Sequence, residues 1–247
     1  MTIKQQPGAP IKDGGNWMEK PSSDAGVPPG LEYLAAIDNI QIKQRRRVAE
    51  DVFGWEFNNK YVIMNGVGQQ IYYAYEESTC CMRQCCKADR GFIIHIVDNN
   101  GKEVIRINRE FVMCSGCCWC AVPGSSCSQF LTVEAPPGNV IGTVNQRVSS
   151  YAGCYQVRDA DGTVVLDCEG PGLRIMCSCG DKDFVIRTNE GAQIGVIRKK
   201  WSGFLREALT EADNFGVSFP LDLSVRTKAT LIGATFLIDF EHFERRD

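Results

Sequence analysis

The sequence predicts an all-β protein with a central helix: a closed antiparallel β-barrel of about twelve strands around a buried, hydrophobic C-terminal helix. Three observations carry that expectation. Five times along the chain, a run rich in Val, Ile, Phe, Tyr and Thr meets a Gly-containing turn and returns as a second such run. A meander of that many strands has edges to hide, and closure into a barrel removes them. Near the C-terminus, residues 229–238 form a strongly apolar, uncharged stretch, too short for a bilayer span and suited to filling a barrel.

In chain order, residues 1–29 are rich in Pro, Gly and polar residues and lack hydrophobic periodicity, which predicts a disordered leader. A single folded domain is expected over 30–246, its text opening with "PPGLEYLAAIDNIQIKQ", and a short helix is expected within 45–57, "RRRVAEDVFGWEF". The paired runs follow at 60–77, 91–110, 130–147, 154–170 and 183–201. Asn-Gly, Asp-Gly and Glu-Gly supply the positive-φ positions that tight hairpins need, and the flanking runs tend to alternate. Three hairpins share one cadence, read as common turn grammar rather than as true repeats.

From Ala229 to Phe243 the apolar residues Leu231, Ile232, Phe236, Leu237, Ile238, Phe240 and Phe243 cover nearly the whole circumference of a helix. A helix apolar all round must be buried in protein or in lipid. A bilayer needs about 20 apolar residues, and Lys228 and Asp239 interrupt the run well before that. The helix is therefore expected inside the barrel.

Composition narrows the function. Apolar residues make up 44% and charged residues 23% of the 247, the balance of a globular chain with a sizeable core. The formal net charge of −3 excludes a chain that is basic overall, so contact with nucleic acid or anionic lipid must come from a local patch. The N-terminal text has no continuous apolar core of a signal peptide, which places the chain in a reducing compartment. There, thirteen cysteines point to metal binding, covalent modification or packing rather than disulfides.

The densest chemical signal is "CCMRQCC", with Cys80, Cys81, Cys85 and Cys86, and "CSGCCWC", with Cys114, Cys117, Cys118 and Cys120. Zinc is an alternative occupant, but the C-x-x-C spacing of a ligand pair occurs only within this one cluster, at Cys114/Cys117 and Cys117/Cys120, and His95 and His242 are the only histidines. Cys154, Cys168, Cys177 and Cys179 lie in or beside strand-like text and read as buried thiols. "CSGCCWC" reads as an exposed loop whose thiols can accept acyl chains, and two such chains already anchor a protein.

"EADNFGVSFPLD", residues 211–222, has acidic residues at its first, third and twelfth positions and Gly216 at its sixth, the spacing of a calcium loop. Phe215 and Phe219 stand where oxygen ligands belong, so any site is weak. Its bland reading is an acidic loop with buried phenylalanines. "RKKW", Arg198, Lys199, Lys200 and Trp201, and the run Arg45 to Arg47 could meet an anionic membrane, nucleic acid or an import receptor, although such short runs are usually solvated surface. No Gly-rich phosphate loop, nucleophile elbow or metal-binding His motif appears, so no enzyme is expected.

Taken together and in this order, "PPGLEYL", "CCMRQCC", "CSGCCWC", the "APPG" turn, "CSCGDKDF", "WSGFLREALTEADNFGVSFPLDL" and "KATLIGATFLIDFEHFE" resemble the phospholipid scramblase family, over residues 28 to 244. The resemblance implies a tubby-like barrel around the C-terminal helix. It also implies calcium-dependent, energy-independent movement of phospholipids between the leaflets of the plasma membrane, without covalent chemistry. Palmitoylation is implied at Cys114, Cys117, Cys118 and Cys120, and calcium at Glu211, Asp213, Phe215, Val217, Phe219 and Asp222, with Glu211 where Asp is usual. "GVIRKKWSG" is similar to a nuclear import signal of relatives.

Two alternatives stand beside this reading. One is a palmitoylated, membrane-docked lipid-binding or signalling adaptor that enters the nucleus when not acylated and does not itself scramble lipids. The other is a zinc-binding adaptor. Phospholipids with anionic headgroups are the expected partners, with an oligomer, an import receptor or nucleic acid as further ones.

Overall fold

The structure is a computed structural model and describes residues 16–22, 26–45, 59–79, 90–112, 128–149, 152–172, 176, 180–200 and 214–244. A short helix α1, Glu32–Ala35, precedes the first strand, β1, Asn39–Gln44. Five hairpins follow: β2, Lys60–Asn65, with β3, Gln70–Glu77; β4, Phe92–Val97, with β5, Glu103–Arg109; and β6, Phe130–Glu134, with β7, Val140–Arg147. The last two join β8, Cys154–Asp159, to β9, Val164–Glu169, and β10, Lys182–Thr188, to β11, Gln193–Lys200. Strand β12, Asn214–Ser218, and helix α2, Val225–His242, end the described fold.

All strand pairs are antiparallel, and β12 closes the barrel between β11 and β1. The five expected hairpins are thus present, and the edges of the meander are removed by pairing β1 with β12. The shared cadence has a physical cause at the turns. Asn65, Asp98 and Asp159 each accept two backbone N–H groups of their own turn on one side-chain oxygen. Gly68, Gly101 and Gly162 follow at φ of 83°, 76° and 82°, a conformation only glycine adopts without strain. Each of these hairpins carries a register shift next to its turn, as expected of a turn closed by a glycine bulge.

Because every hairpin turn points the same way, the barrel has two unlike ends. One holds the tight turns, α1 and the start of α2. The other is where the chain leaves and re-enters for connections 45–59, 78–91, 110–129, 148–153, 170–181 and 201–213.

Helix α2 runs through the barrel from the tight-turn end to the long-connection end. Every residue from Lys228 to Glu241 is buried, including Leu231, Ile232, Phe236, Leu237 and Ile238. Its rings meet walls on different sides: Phe236 packs edge-on to Tyr61 at 4.9 Å, Phe240 lies 4.1 Å from Phe92, and Phe243 lies 5.7 Å from Phe215. Burying each such side chain contributes about 1.5–3 kcal/mol. Gly233 allows the helix to approach β6, since a Cβ there would stand 2.6 Å from Val133 Cγ2. Among the described residues, no helix is long and apolar enough to cross a membrane.

The helix begins earlier than its apolar text suggests, because Ser224 ends the turn after β12 and Val225 opens the first helical turn. Part of the leader expected to be disordered through residue 29 lies among the described residues, 16–22 and 26–29. Met18 donates its N–H to the Gln70 carbonyl at 2.9 Å, and Gln70 donates to the Asn16 carbonyl at 3.0 Å. Trp17 and Met18 supply the apolar surface for this pairing, Met18 packing against the core. The helix expected within 45–57 lies, beyond Arg45, outside the described residues.

Candidate functional site

Both ends of α2 are pinned by buried charge. At the tight-turn end, Lys228 is fully buried, and its Nζ donates to the carbonyls of Leu34, Ile37 and Leu221 at 2.9, 2.8 and 2.7 Å. It also lies 5.2 Å from the Phe219 ring centroid. Desolvation holds the ammonium below the usual lysine value, opposed by the charges of Asp38 and Asp222.

At the long-connection end a polar layer covers the helix C-terminus. Arg90 donates Nε and Nη2 to Glu76 at 2.7 and 2.9 Å and Nη2 to Glu244 at 2.7 Å, while Asn59 donates to both carboxylates. The guanidinium lies 4.7 Å over the Phe240 ring. Burial works against its charge, yet the hydrogen bonds and charges of Glu76 and Glu244 outweigh it and raise the Arg90 pKa. Burial pushes the Glu244 carboxyl up, and Arg90 opposes that. Beside this group, Glu241 accepts from Gln146 Nε2 and from the Tyr155 hydroxyl, both at 2.6 Å. Composition alone did not single out these groups; the signal available was charge at the two ends of an otherwise apolar helix.

The structure treats the residues singled out by sequence unevenly. Glu211 and Asp213 lie outside the described residues. Residues 214–218, the middle of the expected calcium loop, form strand β12, and Phe215, Val217 and Phe219 are buried in the barrel. None of these three has a side-chain oxygen, and the backbone of 214–218 pairs with β1 and β11. A strand rises about 3.3 Å per residue, so β12 spreads the loop along the wall instead of curling it round one ion. Asp222 is at the tight-turn end, and the chain enters β12 at the other. Among the described residues, 214–222 do not curl into such a loop.

The basic run lies on β11. Arg198 points outward and makes two hydrogen bonds to Asp183, at 2.6 and 2.7 Å. Lys199 points inward, 4.1 Å over the Phe243 ring. Lys200 is exposed, and Trp201 lies outside the described residues. Arg198, Lys199 and Lys200 therefore do not form an extended basic peptide, because β10 and β12 pair with the strand on both sides.

Cys114, Cys117, Cys118 and Cys120, and Cys80, Cys81, Cys85, Cys86, Cys177 and Cys179, lie outside the described residues. Cys154 and Cys168 are buried free thiols, as expected. Burial pushes the Cys168 thiol up to about 12, so it stays protonated and unreactive at neutral pH. Among the described residues, no cluster of three or more His, Cys, Asp or Glu side chains could hold a metal.

With this geometry in view, comparison with known proteins is decisive. The Scramblase family model matches residues 18–245. The chain belongs to the scramblase family. It is 43% identical over 240 residues to phospholipid scramblase 1 of Mus musculus, covering 97% of this chain and 70% of that one. It is 45% identical over 229 residues to phospholipid scramblase 1 of Homo sapiens, covering 92% and 70%. Human phospholipid scramblase 2 is 43% identical over 245 residues, covering 98% and 79%. Among solved structures, an X-ray structure of an Arabidopsis thaliana protein aligns with 87% of this chain and 99% of its own, at 12% identity and a TM-score of 0.45.

Proposed function

We propose that this chain interacts with phospholipids and moves them between bilayer leaflets without an energy source, as a translocator rather than a catalyst of covalent chemistry. The observation that carries the reading is family membership over residues 18–245, beside relatives named phospholipid scramblases. The finer parts of the proposal are calcium dependence, palmitoylation at Cys114, Cys117, Cys118 and Cys120, and action at the cytosolic face of the plasma membrane. These rest on the family resemblance of the sequence and not on the described geometry of residues 214–222.

A second reading is favoured by one observation, the burial of α2 from Lys228 to Glu241. It is a palmitoylated, lipid-docked adaptor without intrinsic scrambling that enters the nucleus when not acylated, with an import receptor or nucleic acid as partner there. Calcium-titrated movement of a headgroup-labelled lipid in liposomes containing the purified full chain separates the two. The scramblase reading predicts movement of the labelled lipid, and its finer part predicts that the movement rises with calcium. No movement by folded, acylated protein would abandon it for the adaptor.

A further inference from the structure

Barrel closure gathers residues that the sequence keeps apart. Strands β11, β12, β1 and β2 are consecutive around the wall, and none of the four contains an Asp or a Glu. Their cations collect toward the long-connection end. Lys200 and Lys43 both register against Asn214, one from each side. Arg45 donates its N–H to the Lys60 carbonyl at 2.7 Å, which places these two residues side by side on β1 and β2. Lys200 and Arg45 are exposed, while Lys43 and Lys60 are half-buried. On the outer surface Lys43, Asn214 and Lys200 alternate with the buried Ile42, Phe215 and Ile197. The row is therefore a cationic arc, with neighbouring strands about 4.8 Å apart.

The same rim carries an apolar arc on its opposite side. Phe111 is 43%, Phe130 41% and Val148 45% exposed, at the ends of the adjacent strands β5, β6 and β7. Exposed carboxylates stand at both ends: Glu77, Glu110, Glu169 and Asp181 on this rim outside the cationic arc, beside Arg147, and Glu19, Asp38, Asp161, Glu190 and Asp222 at the tight-turn end, beside Lys20, Lys102 and Arg226. Val67, Val140 and Leu221 are also exposed near the tight-turn end, so the run of cations on strands without a carboxylate, rather than apolar exposure, distinguishes the long-connection rim.

We propose that the barrel docks end-on on an anionic phospholipid bilayer through its long-connection rim, with Lys43, Arg45, Lys60 and Lys200 meeting headgroup phosphates while Phe111, Phe130 and Val148 enter the interface. Charge complementarity rests on the arc, whose four strands carry cations and no carboxylate, while the exposed carboxylates of this rim lie outside it. Aromatic and aliphatic side chains at the rim add buried apolar area. The inference rests on the reading of phospholipid as partner, and it concerns how the chain sits on the bilayer, whether or not lipids then cross it.

The test is co-sedimentation of the full, unacylated chain with vesicles of phosphatidylcholine alone or with phosphatidylserine. The expected result is binding that needs phosphatidylserine and weakens with salt. Each basic residue near an anionic surface is worth about fivefold in affinity, so Lys43→Gln/Lys60→Gln/Lys200→Gln should bind about 100-fold more weakly. Lys102→Gln/Arg226→Gln, at the other end, should bind as the wild type does. A footprint on the wild-type chain needs no variant: acetylation of Lys43, Lys60 and Lys200 should fall on vesicles while that of Lys102 does not.

Unchanged binding by the folded triple variant, or protection of Lys102 instead, would overturn the proposal. So would tight binding of an oligonucleotide with no binding to vesicles. Lipid movement in the liposome assay with none of this protection would sink the docking geometry alone. Protection without lipid movement would sink the scrambling reading and leave the geometry standing.

Discussion

Replacing Lys228 with methionine is expected to lower the stability of the barrel by about 3–5 kcal/mol, measured by urea unfolding at neutral pH. The stem volume is nearly kept, so packing loss is small. What disappears is one ammonium donating to the three carbonyls of Leu34, Ile37 and Leu221. The Leu34 and Ile37 acceptors are buried, and each left without a partner costs about 1–3 kcal/mol, partly relieved as the surrounding turn relaxes. The pH dependence has a definite sign. Desolvation holds the folded pKa of Lys228 below that of the unfolded chain. Between the two values the unfolded chain binds more protons, so stability rises with pH across that window. Lys228→Met should remove this rise along with the stability.

Replacing Arg90 with methionine should cost about as much, roughly 3–5 kcal/mol, because it strands carboxylates rather than carbonyls. Glu76 is fully buried and the Glu244 side chain is 25% exposed, and the guanidinium bonds both. A melting series should show Arg90→Met recovering part of its loss as pH falls, since the uncompensated carboxylates can then bind protons. In the wild type, burial raises Glu244 above the usual carboxylate range. That group therefore stabilises the fold most fully below its unfolded pKa and less as pH rises through its folded one. Arg90→Met combined with Glu76→Gln should be more stable at neutral pH than Arg90→Met alone.

These two residues mark the limit of what local text could reveal. The hairpins were legible because a strand, a turn glycine and a returning strand are neighbours in sequence. Helix α2 was legible because Leu231, Ile232, Phe236, Leu237 and Ile238 leave no polar face, and the length of the run assigned it to the barrel interior. The roles of Lys228 and Arg90 were not legible, since their partners come from α1, β3 and the C-terminal end of the chain. The cationic arc was hidden for the same reason: Lys43 and Lys200 become near neighbours only when β12 pairs with β1. The calcium window shows the opposite failure. Its acidic spacing suggested a loop, while Phe215, Val217 and Phe219 already alternated as a half-buried strand does.

The central claim is that α2 stays inside the barrel when the protein is on a membrane. Val133 on β6 and Gly233 on α2 approach closely enough for cysteines at both positions to join as a disulfide. The measurement is oxidation of Val133→Cys/Gly233→Cys bound to vesicles with calcium, the cross-linked peptide pair being quantified by mass spectrometry against the same protein in solution. The account predicts equal yields in the two. A pair that forms in solution and fails to form on vesicles would show that the helix leaves the barrel, and would contradict it.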